Sequence, residues 1–146
     1  MTTTKTITVG STEHVGFPEF NMVGVPAKID TGADTGALHC TKISEETVNG
    51  VITLRFSPFD HPETTIACNE FTTKIVRSSN GGSTKRYFVS TTIVVQDKTY
   101  PIQISLADRT EMTWPVLIGK RFLVEHKMLV DVTREAQVLL VEKEQV

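Results

Sequence analysis

Cysteine is scarce in this sequence, and long apolar segments are absent from it. Its two cysteines, Cys40 and Cys68, are too few to cross-link a fold of 146 residues, so we expect free thiols and a reducing compartment. No stretch approaches the roughly 20 apolar residues that a membrane helix needs, and the polar N-terminus contains no signal-peptide core. These absences predict a cytoplasmic protein with no membrane partner.

Charge of one sign is also lacking. The formal net charge is -2 and the sequence pI is about 6.1, which gives no overall attraction to nucleic acid or anionic lipid. Repeats, low-complexity tracts and Pro/Gly-rich linkers are missing as well. The sequence therefore predicts one domain over residues 7–146, preceded by a flexible N-terminus over residues 1–6.

Short segments rich in Val, Ile, Thr and Phe, separated by turn residues, predict a mainly β fold. Asn80-Gly81 and Gln96-Asp97-Lys98 predict two hairpin turns. One short helix is predicted over Lys120–Glu125. We expect these strands to form a small closed barrel rather than an open sheet. The predicted strands cover residues 7–9, 23–29, 50–57, 71–77, 86–96, 99–106, 114–118, 128–132 and 137–141.

The segment with the clearest chemistry is Asp30-Thr31-Gly32, which follows an apolar strand directly. In aspartic proteases two such turns face each other, and the two carboxylates share one proton and hold a water. Gly32 permits close backbone approach, and the Thr31 hydroxyl can join the two turns. Because the chain has one Asp-Thr-Gly that directly follows an apolar strand, it supplies half of the pair, which predicts a homodimer. The same three residues also occur as an ordinary turn.

A second apolar strand ends at Ile118-Gly119 and leads into the predicted helix. In retropepsins such a strand packs beneath the aspartate turn, where a small residue leaves room for it. With both pieces present, the sequence resembles the retropepsin-like family labelled "ATP-dependent zinc protease", which is associated with RimK-type ligases that add glutamates to proteins. The resemblance is carried by residues 29–33, 37–39, 77–81, 105–109, 117–123 and 130–131.

The resemblance implies a retropepsin-type barrel in which Asp30 is catalytic, supported by Thr31 and Gly32, with no cofactor. It also implies that a hairpin closes over a peptide or protein substrate. A glutamate-rich substrate is a further expectation, since arginines beside the motifs can bind carboxylates. The implied substrate-binding residues are Ala33, Arg77, Ser78, Ser79, Asn80, Gly81 and Arg109, and the further arginines beside the motifs are Arg86 and Arg121. Asp34 and Gly36 depart from the family pattern, which expects a basic residue and a serine.

Two alternatives stay open at this point. The barrel could be an inactive binding module for a peptide or a ligase partner. A metal site could be built from His39, Cys40, His61 and Cys68, although their spacing is unlike that of zinc sites. The ATP and zinc dependence named in the family label is not supported by the sequence, because it contains neither a phosphate-binding loop motif nor a His-Glu-x-x-His motif. We further expect an ion pair between Asp108 and Arg109, core positions for Phe122 and Leu123, and a dimer strand at residues 138–141.

Overall fold

The barrel is built from strands that range in length from 3 to 13 residues. The structure is a computed structural model and describes residues 6–59, 61–77 and 81–136. Within these residues one α-helix, α1, follows the tenth strand, and a single 3-10 turn covers Pro18–Phe20. The strands are β1 (Thr8–Gly10), β2 (Thr12–Phe17), β3 (Met22–Ile29), β4 (Ala37–Val48), β5 (Val51–Pro58), β6 (Ile66–Cys68), β7 (Thr72–Arg77), β8 (Ser83–Val95), β9 (Lys98–Ala107), β10 (Val116–Ile118) and β11 (Leu129–Asp131), and α1 covers Lys120–Glu125.

Six of the strands close on themselves. The order is β10, β3, β2, β8, β9 and β4, and β4 pairs again with β10. In this ring β10 lies between β3, to which it is parallel, and β4, to which it is antiparallel. Strands β5 and β6 extend the sheet beyond β4, and β7 pairs with β8. The expected mainly β, closed barrel with one short helix is therefore confirmed.

Two-residue turns fix the register of two hairpins. Gln96 and Asp97 connect β8 to β9 with φ angles of 51° and 66°, the left-handed conformation that such tight hairpins require. Asn49 and Gly50 connect β4 to β5 in the same way, with φ angles of 52° and 80°. The first turn was predicted from the sequence, whereas the Asn49-Gly50 signal was overlooked.

The core is formed by apolar side chains of the strands, the 3-10 turn and α1. Large side chains from different strands, such as Phe17 of β2, Leu54 of β5 and Ile104 of β9, are fully buried in it. Each contributes roughly 1.5–3 kcal/mol through removal of its apolar surface from water. Phe122 and Leu123 of α1 are also buried, with exposed fractions of 6% and 5%. The prediction that these two residues belong to the core is confirmed.

Several predicted boundaries need correction. Strands β2, β4 and β6 were not predicted, and β10 begins at Val116, two residues after its predicted start at Trp114. The second half of β4 is polar and exposed, so its apolar pattern is weak. Strand β6 has only three residues, too few to show an alternating pattern. The strand predicted over residues 137–141, which was also expected to form the dimer contact, lies outside the described residues. Most of the N-terminus predicted to be flexible lies outside them as well. In the part of the chain that the structure describes, no helix could cross a membrane.

Candidate active site

Asp30 is placed at the first position after β3, where the chain leaves the barrel and turns. Its backbone N–H donates a hydrogen bond of 2.8 Å to Ile118 O at the end of β10. Its carboxylate Oδ1 accepts a hydrogen bond of 3.0 Å from the Gly32 N–H. The Asp30 side chain is half-buried, whereas Thr31 and Gly32 are exposed. The turn thus holds one carboxylate oxygen and leaves the face formed by Thr31 and Gly32 open to solvent.

The turn is supported from below by the start of α1. The first N–H groups of a helix have no partner within the helix, and here they bond to carbonyls of the turn. The Lys120 N–H donates to Ala33 O at 2.7 Å, and the Arg121 N–H donates to Asp34 O at 3.0 Å. These bonds replace a capping side chain, which Gly119 cannot supply. The start of α1 is therefore fixed to the aspartate turn.

Glycines make this close contact possible. A methyl group on Gly119 would lie 2.7 Å from the carbonyl carbon of Thr35 and 2.8 Å from Asp34 O. One on Gly36 would clash with the carbonyl oxygen of Leu117. On the other side of this segment, the buried Ser105 hydroxyl donates to Gly36 O at 2.8 Å. The expected packing of Gly119 beneath the aspartate turn is confirmed, and Gly36, noted only as a departure from the family pattern, has a steric reason to be glycine.

Asp34, the other departure, forms an exposed ion pair with Arg121. The Arg121 Nε lies 3.4 Å from Asp34 Oδ2, in addition to the backbone bond between the same residues. Both side chains are more than half exposed, so the pair adds little stability. It does, however, engage one of the arginines expected to bind substrate.

Arg109 follows β9 and is one of the predicted substrate-binding residues. Its backbone N–H donates to His39 Nδ1 at 2.8 Å, and its Nε donates to Trp114 O at 2.9 Å. Partial burial, followed by the Arg86 guanidinium, lowers the pKa of Arg109, whereas the Asp30 carboxylate acts in the opposite direction. Arg109 therefore lies within electrostatic range of both Asp30 and Arg86.

The expected ion pair between Asp108 and Arg109 is not formed. Asp108 Oδ1 instead accepts hydrogen bonds from the Thr110 N–H at 3.0 Å and from the Thr110 hydroxyl at 2.5 Å. These two bonds lower the pKa of Asp108, with a smaller contribution from His39. Adjacent residues at a strand end point apart, so Asp108 caps the following turn while Arg109 reaches the Trp114 carbonyl.

The other predicted binding residues are described in part. Ala33 is half-buried, and its N–H donates to Asp30 O at 3.2 Å, so its backbone belongs to the turn. Arg77 ends β7 and pairs with Ser83 of β8, which confirms that these two strands form an antiparallel hairpin. Gly81 follows with a φ of 91°. Ser78, Ser79, Asn80 and the side chain of Arg77 lie outside the described residues.

A cluster that the sequence did not indicate joins two hairpins. Glu45 of β4 accepts hydrogen bonds from Lys85 at 2.6 Å and from Tyr87 at 2.5 Å, both on β8. The bond from Lys85, and next that from Tyr87, lowers the pKa of Glu45. These residues are about 40 positions apart in the chain, and no local pattern relates them. The cluster links the base of the β7–β8 hairpin to the β4–β5 hairpin.

The residues considered for a metal site have other surroundings. His39 is buried and its Nδ1 already accepts the Arg109 N–H. Burial raises the pKa of the Cys40 thiol and also that of the Cys68 thiol. Among the residues that the structure describes, no group of three or more His, Cys, Asp or Glu could hold a metal ion. Within residues 6–59, 61–77 and 81–136, therefore, the zinc of the family label has no matching donor set.

Comparison with known proteins agrees with this geometry. A family model described as "RimB-like: Retropepsin-like aspartic endopeptidase RimB" matches residues 8–138. Similar curated proteins include a "Probable alpha-L-glutamate ligase" from Desulfotalea psychrophila, 25% identical over 130 residues, and another from Shewanella pealeana, 28% identical over 130 residues. Each match covers 84% of this chain but only 27% or 28% of the ligase. The chain thus spans just over a quarter of the length of these curated relatives.

A solved structure has the same fold. The crystal structure of protein Lpg0085 from Legionella pneumophila, described as a protein with unknown function, matches with a TM-score of 0.70. The sequence identity is 26%, and the match covers 90% of this chain and 97% of the other. Nearly the whole of that protein therefore corresponds to the barrel described above.

Proposed function

Because this chain belongs to the RimB-like family of retropepsin-like aspartic endopeptidases, we propose that it is a peptidase-type hydrolase that works as a homodimer. The main observation behind the proposal is that hydrogen bonds hold Asp30 in a fixed position. Its backbone is fixed by Ile118 O and its Oδ1 by the Gly32 N–H, on a turn packed against Gly119. A reacting group needs this kind of fixed placement, because small displacements cost large factors in rate.

In the proposed reaction, Asp30 carboxylates from two subunits share one proton and hold a water between them. The ionised carboxylate accepts a proton from the water, which attacks the carbonyl carbon of the scissile amide. The protonated carboxyl donates its proton to the carbonyl oxygen. The tetrahedral species then collapses: the carboxyl that took the proton from water gives it to the leaving nitrogen, the other carboxylate removes a hydroxyl proton as the carbonyl reforms, and the C–N bond breaks. The pair then holds one proton again. No covalent enzyme intermediate and no cofactor are needed.

The homodimer follows from the count of carboxylates. Asp-Thr-Gly occurs twice in the sequence, but the second copy, Asp34-Thr35-Gly36, begins only four residues after Asp30, and its carboxylate is exposed and paired with Arg121. The second carboxylate of the catalytic pair would therefore come from a second chain related by a two-fold axis. Thr31 and Gly32 are exposed in the single chain, which suits residues that meet their symmetry mates. A mixed partner with its own Asp-Thr-Gly would satisfy the same chemistry, and the size of the active species distinguishes the two.

We further propose that the substrate is a peptide or protein with acidic, glutamate-rich sequence, cleaved at a peptide or glutamyl amide bond. Arg109 and Arg86 support this, because two neighbouring guanidinium groups attract carboxylates. The names of the curated relatives, which are glutamate ligases, suggest the same class of substrate. Arg77 and residues 78–81 would close over the bound peptide as a hairpin. Neither nucleic acid nor membrane is an expected partner.

The test compares wild type with Asp30→Asn on a peptide library that includes glutamate-tailed sequences, from acidic to neutral pH. We expect cleavage by wild type and none by the variant, with higher activity at mildly acidic pH because one carboxyl of the pair must stay protonated. Equal cleavage by both proteins would refute the aspartyl mechanism. Arg109→Gln should lower cleavage of glutamate-tailed peptides selectively, and unchanged cleavage would refute the acidic specificity.

One observation favours a second candidate, an inactive binding module. The chain matches just over a quarter of proteins named as glutamate ligases, so the same barrel occurs as part of a larger enzyme with a different named activity. Under this alternative the barrel binds an acidic peptide or a ligase and cleaves nothing. Wild type that binds glutamate-tailed peptides without hydrolysing them, and that stays monomeric, would favour the module over the peptidase.

A further inference from the structure

We propose that His39 is a positioning residue, which holds the segment that carries Arg109 so that the guanidinium stays within electrostatic range of Asp30, and thereby controls the recognition of substrate carboxylates without touching substrate. The inference rests on the proposed function, because it takes Arg109 as a residue that binds substrate. His39 lies on β4 and Arg109 follows β9, so the contact crosses between two strands of the barrel.

The His39 side chain provides the first anchor. It is only 3% exposed, and its Nδ1 accepts the Arg109 backbone N–H at 2.8 Å. A ring nitrogen that accepts a hydrogen bond carries no proton, so the ring proton lies on Nε2. Loss of this acceptor would leave a partly buried N–H without its partner, which is costly for the segment that contains it.

The backbone of the same residue provides a second anchor. The His39 N–H donates to Pro115 O at 2.8 Å, so His39 is bonded to residues 109 and 115 at both ends of the loop between β9 and β10. Inside the loop, the Met112 N–H donates to Arg109 O at 2.9 Å. The Arg109 Nε donates to Trp114 O. One histidine thus holds a loop whose internal bonds direct the arginine side chain.

This loop leads directly into the strand that supports the aspartate. After Pro115 the chain enters β10, whose Ile118 O accepts the Asp30 N–H at 2.8 Å. Asp30 and Arg109 are therefore connected through the same hydrogen-bonded segment, which consists of the loop between β9 and β10 and of β10 itself. A guanidinium held in place before binding loses less rotamer freedom when it meets a carboxylate. Loosening the loop should accordingly weaken substrate binding more than it slows the chemical step.

The experiment compares two substitutions of the same residue. His39→Leu removes the acceptor while keeping a side chain of similar bulk, and His39→Asn retains an acceptor oxygen near the position of Nδ1. We would measure kcat and KM on glutamate-tailed peptides and on matched glutamine-tailed peptides. For His39→Leu we expect KM for the glutamate-tailed peptide to rise roughly tenfold, the worth of one good hydrogen bond, with kcat and the glutamine-tailed reaction little changed. His39→Asn should recover most of the loss.

A double substitution separates positioning from general damage. If His39 acts through Arg109, His39→Leu should have no further effect on KM in an Arg109→Gln background. Its full effect in that background, or an equal loss on both peptides, would overturn the proposal. His14→Asn, at an exposed histidine of β2, serves as the control for a histidine change away from the loop.

Amide hydrogen exchange gives a readout that does not depend on activity. We expect the Arg109 amide to exchange faster in His39→Leu than in wild type, and to be protected again in His39→Asn. Unchanged exchange in His39→Leu would overturn the positioning role whether or not the protein is a peptidase. If Asp30→Asn retains wild-type cleavage while the Arg109 amide loses protection in His39→Leu, the proposed mechanism fails and the positioning of Arg109 stands.

Discussion

Gly119→Ala tests how the aspartate turn is supported. The added methyl group would lie 2.7 Å from the carbonyl carbon of Thr35 and 2.8 Å from both Asp34 O and Gly36 N. All three are backbone atoms, so no flexible side chain can move aside. Reaching an ordinary contact distance requires α1 and the turn to separate by roughly 0.8 Å. Overpacking of this kind costs about 1–3 kcal/mol of stability, and a displacement near 1 Å costs on the order of 100-fold in rate.

The assay for Gly119→Ala pairs urea unfolding with the rate of peptide cleavage. Gly50→Ala is the matched control, since Gly50 has a φ of 80° and open space around its missing Cβ. A left-handed alanine should cost about 1–2 kcal/mol there and leave the cleavage rate unchanged, because the β4–β5 turn is not part of the site. Full activity and unchanged stability in Gly119→Ala would refute the argument that Gly119 must be small to support Asp30.

Two further predictions concern other supports of the fold. Ser105→Ala removes the buried hydroxyl that donates to Gly36 O. It should cost about 1 kcal/mol in urea unfolding, because the Ser105 N–H still donates to the same carbonyl at 3.1 Å; no loss of stability would contradict a role for the hydroxyl. Glu45→Gln removes the charge held by Lys85 and Tyr87, whose hydrogen bonds lower the pKa of Glu45. A lowered carboxyl pKa stabilises the fold above the unfolded value of about 4.3, and that stability is lost as pH falls through the folded pKa. The variant should therefore unfold at lower urea than wild type at pH 7, and the two should converge in acid. A difference in urea stability between wild type and Glu45→Gln that stays constant with pH, or that does not change with added salt, would contradict this assignment.

The fold was predictable to the extent that apolar patterns revealed its strands. Long β-rich segments such as the one containing β8 were identified, and the helix over Lys120–Glu125 was placed at its observed bounds. Strand β4 was missed because its second half is exposed and polar, including Glu45 and Glu46. The insertion of β10 between β3 and β4 is a long-range pairing, and no local pattern gives its position.

The features of the site likewise fall into those that a local sequence motif reveals and those that depend on distant residues coming together. Asp30, Thr31 and Gly32 are adjacent in the chain and carry a recognisable motif, as does the strand that ends at Gly119. The bond between His39 and Arg109 joins residues 70 positions apart, and it depends on which strands become neighbours. The ion pair between Asp34 and Arg121 could not be predicted either, because it also depends on the fold. Single-residue chemistry could be predicted from the sequence, whereas the pairing of side chains required the barrel.

The most direct test of the central claim measures cleavage in mixed dimers of wild type and Asp30→Asn. Co-expressed in equal amounts with distinct tags, the two chains should assemble at random, and only dimers with two Asp30 carboxylates should cleave. The account predicts that specific activity falls to about one quarter of the wild-type value, the share of wild-type homodimers in random pairing. A value of about one half would mean that each chain acts independently, and would contradict a site shared between two subunits.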